Sequence, residues 1–129
     1  MVEKRKHSRF VPRFNTFAAL GKEYAKIGKM IDICIGGLSF EYLIEENSKI
    51  DSSEVDIFSV SNGFFLYSIP CKIVYDTQIH EPHVKNELIK VLTNRKCGIK
   101  FKNLAKDNFL QIQFFIDNYT EGFFISENI

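Results

Sequence analysis

The sequence predicts an all-β domain, in the form of a small barrel or sandwich, that is followed by one amphipathic helix. Apolar and polar residues alternate with period two through about three quarters of the 129-residue chain, and the spacing then changes to three and four. Turn-forming glycines separate the alternating segments at Gly21, Gly36, Gly37 and Gly63. Several short strands with no helical segment between them favour a barrel or sandwich, because these arrangements protect strand edges.

The alternating segments give six predicted strands. Phe40 and Tyr42, for example, stand between polar neighbours, as expected for the buried side of a half-buried strand. In the fifth predicted strand, the same pattern places Tyr75 on the buried side and Asp76 on the exposed side. The predicted spans are 14–20, 24–34, 38–43, 54–60, 64–76 and 88–102, the last with a break near Asn94.

The last quarter of the chain predicts a helix over residues 103–122. Apolar residues such as Ile112 and Ile116 recur at helical spacing and form one wide face. Asn103 or Asp107 is expected to cap the start of this helix, and Gly122 to end it. The segment has more phenylalanines than one buried face needs: Phe109, Phe114, Phe115, Phe123 and Phe124. They either fill the open end of the barrel or form the surface of a homodimer.

Length and composition favour one folded domain in the cytoplasm. A hydrophobic fraction of 45% with 13 phenylalanines is enough for a packed core, and 129 residues fit one such core. The basic start runs into polar residues and Pro12 instead of an export signal, and no segment approaches the roughly 20 apolar residues of a membrane span. Cys34, Cys71 and Cys97 are odd in number and lie in apolar runs, which predicts reduced, buried thiols without disulfides or zinc.

Positive charge is concentrated at the start of the chain. The whole sequence has 17 basic and 16 acidic side chains, but residues 1 to 13 hold five basic side chains against Glu3 alone. This segment therefore carries +4 and the remainder −3, which favours an anionic partner at one place over a protein that coats nucleic acid. Residues 1–13 are expected to form a flexible arm, since apolar residues that could anchor it begin only at Phe10.

Two short motifs are candidates for a binding site. Arg5 and Arg9 lie four positions apart in the basic segment, and Asp32 and Cys34 lie two apart near the end of a predicted strand. Strand geometry aims Asp32 and Cys34 to the same side, and the glycines at 36 and 37 would turn the chain and leave room for a ligand. Taken alone, the second motif is also compatible with an ordinary hairpin in which Asp32 is solvated.

In combination, the two motifs resemble the signature of the PilZ domain, the bacterial receptor domain for cyclic di-GMP. That family has Arg, three residues and Arg, followed a few tens of residues later by Asp or Asn, one residue, Ser, two residues and Gly. Arg5 and Arg9 match the first part, and Asp32 and Gly37 match the second. A late strand with Gly, two residues and Phe before a helix is also frequent in the family, and the segment 98–101 matches it.

The resemblance covers nearly the whole chain and implies a six-stranded antiparallel barrel with a C-terminal helix. It divides a single domain, 1–129, into an arm at 1–13, a barrel at 14–102 and a helix at 103–122. It implies a signalling receptor without catalytic activity or cofactor, in which Arg5 and Arg9 hold the phosphates and a guanine face while Asp32 accepts hydrogen bonds from guanine. His7, Ser8 and Gly36 are additional candidate contacts. Ligand would fold the arm onto the barrel and present an altered surface to a downstream protein.

One position departs from the family pattern, because Cys34 stands where the family has Ser. A thiol is larger than a hydroxyl and a much weaker hydrogen-bond donor. The loss of one neutral hydrogen bond is worth on the order of 0.5 to 1.5 kcal/mol, or a few-fold to tenfold in affinity. Cys34 also keeps open a degenerate PilZ module that binds no nucleotide and acts through protein contacts.

Two further alternatives come from other classes of protein. Basic and aromatic residues are adjacent at Arg9, Phe10 and Arg13, which is the kind of pattern with which small barrels bind single-stranded nucleic acid. The net negative remainder of the chain argues against this interpretation. A metalloenzyme would need more ligands than the two histidines and one glutamate within the loop 80–83, so a solvated loop is favoured there.

Overall fold

The structure is a computed structural model that describes residues 9–13, 15–21, 26–45, 53–79 and 92–124. The elements in chain order are β1 (Arg9–Pro12), β2 (Phe17–Leu20), β3 (Lys26–Cys34), β4 (Gly37–Glu45), β5 (Glu54–Ser59), β6 (Phe64–Gln78), β7 (Leu92–Phe101), α1 (Lys106–Tyr119) and β8 (Thr120–Phe124). A short 3-10 turn at Val60–Asn62 joins β5 to β6. Within the described ranges, no helix is long and apolar enough to cross a membrane.

Six of the strands form a closed antiparallel barrel. Their order is β2, β5, β6, β7, β4 and β3, and pairing of β2 with β3 closes the ring. The alternating apolar side chains point into it, so that Phe40, Val55, Ile69 and Cys97 are fully buried together. The barrel and the helix that follows it confirm the predicted fold class.

Two short strands extend the barrel beside β3. The first half of β3 pairs with β2, and its second half pairs with β1 through Phe10 and Ile33. On its other side β1 pairs with β8. The predicted arm, 1–13, therefore extends too far along the chain. Arg9–Pro12 form a strand in which Phe10 packs against the core. Residues 1–8 lie outside the described residues.

Helix α1 is shorter than predicted and has different ends. It begins at Lys106 after Ala105, which makes no side-chain capping bond, so neither Asn103 nor Asp107 is the cap. After Tyr119 the chain passes directly into β8, and Gly122 lies inside that strand. Pairing with β1 ends the helix here, because the Arg13 amide donates to the Tyr119 carbonyl at 2.7 Å. The buried face consists of Ile112, Phe115 and Ile116.

Strand β7 differs from the prediction because it has no break near Asn94. This residue pairs with Leu43 in a continuous ladder between β4 and β7. Strand β6 instead contains the irregularity, at a β-bulge between Ile73 and Tyr75. The bulge leaves Val74 61% exposed and reverses the alternation after it. The predicted sides of Tyr75 and Asp76 are therefore wrong.

The three cysteines are free thiols, as predicted, but they differ in burial. Cys71 and Cys97 lie in the core, where burial raises their pKa to about 11 and about 12. Both therefore stay protonated and unreactive at neutral pH. Cys34 is only half-buried, because it lies at the end of β3 on the outer face of the barrel.

Candidate ligand-binding site

The structure brings together one residue from each predicted motif. Nη1 of Arg9, at the start of β1, lies 2.8 Å from Oδ2 of Asp32 in β3. The two residues are 23 positions apart in sequence and meet because β1 runs antiparallel to β3, with Phe10 opposite Ile33. The guanidinium has five N–H donors, so this contact leaves others to face a ligand.

Asp32 is a buried carboxylate on the outer face of the barrel. Its side chain is 9% exposed, and a charge at that depth requires compensation. Arg9 supplies the opposite charge, and the Ser39 hydroxyl donates to Oδ1 of Asp32 at 2.9 Å. Both oxygens are thus engaged, and a ligand donor must share one of them or displace Arg9.

Ser39 is a hydrogen-bond partner of Asp32 that the motif comparison missed. It is fully buried and lies directly opposite Asp32 in the pairing of β3 with β4. The sequence held a usable signal, because Ser39 is two residues after Gly37 and therefore faces the same side of β4. Only the register between the two strands shows that it reaches Asp32.

Cys34 holds the turn between β3 and β4. Its sulfur accepts a hydrogen bond from the backbone amide of Gly36 at 3.3 Å, in the same way as a Ser side chain accepts in a short polar turn. The carbonyl of Gly36 accepts from the Phe101 amide at 2.9 Å, which fixes the turn against β7. The thiol hydrogen of Cys34 therefore remains the group that could contact a ligand.

Gly37 is needed by the barrel itself. A Cβ atom at this position would lie 2.1 Å from the Ile99 carbonyl oxygen of β7, far inside contact distance. Close approach of β4 to β7 is therefore sufficient to require a glycine here.

Two cross-strand rows of residues surround the ion pair on the outer face of the barrel. The carboxylate row crosses β3, β4, β7 and β6 through Asp32, Ser39, Gly98 and Tyr75. The lysine row lies beside it and crosses the same strands through Cys34, Gly37, Lys100 and Lys72. The Tyr75 ring covers Gly98, where a Cβ atom would lie 2.2 Å from a ring carbon.

A second polar cluster lies at one end of the barrel, away from these rows. Asp76 accepts hydrogen bonds from Lys26 at 2.6 Å, from Tyr42 at 2.6 and 2.7 Å, and from Nε of Arg95 at 2.8 Å. Burial alone would raise the pKa of Asp76, but these three donors outweigh burial and hold the pKa below its ordinary value. Burial and the hydrogen bond to Asp76 raise the pKa of Tyr42. All four side chains are engaged with one another, so the cluster joins four strands of the barrel.

Several candidate residues from the sequence cannot be placed. Arg5, His7 and Ser8 lie outside the described residues. The same is true of the loop 80–83, which contains the two histidines and one glutamate. Among the residues that are described, no group of three or more His, Cys, Asp or Glu side chains could hold a metal ion.

Solved structures with similar folds belong to PilZ proteins. The PilZ domain of YcgR from Escherichia coli with c-di-GMP superimposes with a TM-score of 0.65 at 10% identity, over 91% of this chain and 92% of that one. The K. pneumonia MrkH–c-di-GMP complex gives a TM-score of 0.62 at 14% identity, over 92% of this chain and 53% of that one. A longer YcgR chain in complex with c-di-GMP gives 0.58 at 13% identity, over 90% of this chain and 46% of that one.

These similarities confirm the resemblance to PilZ domains at the level of the fold. The present chain spans about half the length of MrkH and of the longer YcgR chain. In sequence, no protein-family model matches it, and no curated protein matches it either.

Proposed function

From the PilZ fold of this chain, we infer that it is a receptor domain for cyclic di-GMP that acts by binding and not by catalysis. The observation that carries the proposal is the contact between Arg9 and Asp32, which brings the two halves of the PilZ-like signature together on one outer face. The similar YcgR and MrkH structures contain c-di-GMP, and this supports the same ligand class.

The chemistry of the site suits a guanine nucleotide. Asp32 presents carboxylate oxygens that can accept from the N1–H and 2-amino donors of guanine, while the Arg9 guanidinium can bind phosphate or stack on the base. We propose that Arg5, His7 and Ser8 of the basic arm complete the site when ligand binds. The folding of that arm would change the surface offered to a downstream cytoplasmic protein.

Isothermal titration calorimetry with cyclic di-GMP tests the proposal directly. Because charge-assisted hydrogen bonds contribute about 1.5 to 3 kcal/mol, we expect Arg9→Ala to weaken binding about ten- to hundredfold. The matched control is Arg13→Ala, since Arg13 is an arginine of the same segment whose Nη2 instead donates to the Thr120 carbonyl at 3.1 Å. Cyclic di-AMP is the control ligand, because adenine lacks both guanine donors. Absence of heat with cyclic di-GMP, or equal binding of both dinucleotides, would contradict the proposal.

A nucleotide-free interaction module is the second candidate, and Cys34 is the feature that favours it. Its sulfur is committed to the Gly36 amide as an acceptor, and the thiol is a poor donor towards a ligand. If the parent protein does not bind and Cys34→Ser does, the domain is a receptor disabled at one position. If neither binds, the search moves to protein partners.

We also propose that α1 offers a homodimer surface. Phe109, Leu110 and Phe114 of this helix are each about half exposed. Phe115 is instead fully buried in the core.

A further inference from the structure

The lysine row contains two like charges on neighbouring strands. Lys100 in β7 pairs directly with Lys72 in β6, and both side chains are exposed. Like charges at directly opposite positions of an antiparallel pair are destabilising. Neither lysine forms an ion pair with any residue that the structure describes.

Another row on the same face has charges that alternate in sign from strand to strand. There, Lys29 of β3 pairs with Glu41 of β4, and Glu41 pairs in turn with Lys96 of β7. The acidic residue lies between the two lysines, so the charges alternate across the sheet. The pair formed by Lys72 and Lys100 lacks such a residue in its row, where the remaining members are Cys34 and Gly37.

The uncompensated pair is continuous with the candidate site. Lys100 lies directly opposite Gly37, which itself lies opposite Cys34. Since neighbouring strands are about 5 Å apart, the backbone of Lys100 is about 10 Å from that of Cys34. The long flexible stem of a lysine can cover much of this distance. The bond between the Phe101 amide and the Gly36 carbonyl holds the two parts of this surface together.

The balance of charge on this face favours an anion as the partner of these two lysines. Arg9 is paired with Asp32, so these two residues together bring no net charge to an anion, and Arg5 is the one motif cation that is left for two phosphates. Cyclic di-GMP carries two phosphodiester charges. Lys100 and Lys72 are exposed cations of the neighbouring row, and neither forms an ion pair with a described acidic residue.

We propose that Lys100 and Lys72 form a second anion subsite that binds the phosphate of the ligand farther from Arg9. The inference rests on the proposed function, since it assigns these residues to the same cyclic dinucleotide. Arg9 and Asp32 select the guanine end of the ligand, and the lysine pair supplies the net positive charge for its second phosphate.

Calorimetric titration of cyclic di-GMP into Lys100→Gln, Lys72→Gln and the double variant tests this subsite. An exposed ion pair contributes up to about 1 kcal/mol, so each single change is expected to weaken binding about two- to fivefold, and the double change about tenfold. The affinity of the double variant should also fall less steeply with sodium chloride than that of the parent, because fewer charges are available to screen. Lys96→Gln is the matched control, as Lys96 lies on the same strand and face but pairs with Glu41.

Thermal unfolding supplies a readout that does not depend on ligand. Removal of one of two opposed like charges is expected to leave the melting temperature of Lys100→Gln equal to that of the parent or higher. If Lys100→Gln binds weakly but melts at the temperature of the parent or higher, it is well folded, and unfolding does not explain its weak binding.

The two hypotheses fail in different ways. A parent protein that binds cyclic di-GMP, together with lysine variants that bind equally well with the same salt dependence, would overturn the lysine subsite and leave the receptor function intact. A parent protein that does not bind the dinucleotide would overturn the receptor function, and the subsite with it. Weakening by Lys96→Gln equal to that by Lys100→Gln would show that only general charge matters, and would also overturn the subsite.

Discussion

At Gly37, β4 passes so close to β7 that a side chain does not fit. A Cβ atom would lie 2.1 Å from the Ile99 carbonyl oxygen, and Gly28 is in the same position with respect to the Glu41 carbonyl oxygen at 1.7 Å. Gly37 belongs to the PilZ-like motif, whereas Gly28 does not. The structure therefore separates a structural role of Gly37 from a ligand-binding role.

We expect Gly37→Ala and Gly28→Ala to destabilise the protein by a similar amount, about 1 to 3 kcal/mol, because each forces two strands apart. Urea denaturation monitored by circular dichroism measures the free energy of unfolding for both. A fully stable Gly37→Ala variant that had lost ligand binding would contradict this prediction and make Gly37 a direct ligand contact.

Cys34 stabilises the turn through the Gly36 amide, and substitution can separate this role from the ligand contact that we propose for it. Cys34→Ser keeps an acceptor for the Gly36 amide and adds a better donor, so cyclic di-GMP is expected to bind a few-fold to tenfold more tightly. Cys34→Ala removes both groups and should not tighten binding. Calorimetry on the three proteins checks the prediction, and equal tightening by Ser and Ala would show that size, and not hydrogen bonding, decides.

At the scale of the elements, one carboxylate joins four strands at an end of the barrel. Asp76 of β6 accepts from side chains on β3, β4 and β7. Lys26 is 6% exposed, so loss of the Asp76 charge would leave a buried cation without its partner. We expect Asp76→Asn to lower the free energy of unfolding by about 2 kcal/mol, less than for a fully buried pair because Asp76 and Arg95 are partly exposed. Asp117→Asn on the exposed side of α1 is the control and should cost no more than about 0.5 kcal/mol.

The same contribution should depend on pH. Because folding lowers the pKa of Asp76, the stabilisation is fully present above its ordinary value of 3.8 and is lost as the pH falls through the lower pKa of the folded state. The difference in stability between the parent and Asp76→Asn should therefore be constant from pH 7 to pH 5 and shrink below pH 4. Urea denaturation at several pH values measures it, and a difference that is unchanged at pH 3 would argue against the ion cluster as its source.

The elements that the sequence did not predict are those that depend on distant partners. Alternation located the six barrel strands, since each strand has one face in the core. Strand β1 was predicted as part of an arm because its pairing with β8 joins residues more than 100 positions apart. The sequence did not predict the bulge at Val74 for a similar reason. Only the pairing of β6 with β7 distinguishes an inserted residue from continued alternation.

For the candidate site, the motif order was enough to select Arg9 and Asp32, which the structure brings into contact, because each is a charged residue in a recognisable spacing. Ser39, Lys100 and Lys72 could not be identified in this way. The register between neighbouring strands places these residues on the same face as Arg9 and Asp32. Alternation with period two within one strand does not specify that register.

Among the residues that the structure describes, two apolar surfaces of different construction are exposed. One is a ladder of rings across β2, β5 and β6, formed by Phe17, Phe58, Phe65 and Tyr67. Its neighbouring centroids are 5.7, 6.1 and 5.9 Å apart with nearly parallel planes. An inserted base would need about 7 Å between two rings, so the ladder has no space for stacked nucleic acid between its members. The other is the exposed face of α1.

We expect the protein to dimerise through α1 and not through the ladder. Phe114 is 51% exposed on α1, and Phe114→Glu should give a monomer because a charge would be buried in the interface. Tyr67→Glu is the matched control, as Tyr67 is 61% exposed at the end of the ladder. Sedimentation velocity over a range of concentrations distinguishes these outcomes. A monomeric parent at high concentration, or dissociation by Tyr67→Glu alone, would contradict the prediction.

The pairing of β1 with β8 also connects the candidate ligand-binding site to the helix. Arg9 begins β1, the Arg13 amide bonds the last residue of α1, and the chain continues from that helix into β8. A nucleotide that binds Arg9 and a protein that binds α1 would therefore act on one connected element. Reciprocity then requires that a partner whose affinity rises tenfold with nucleotide also raises the nucleotide affinity tenfold. The abundance of that partner would thus help to set the nucleotide concentration at which the domain responds.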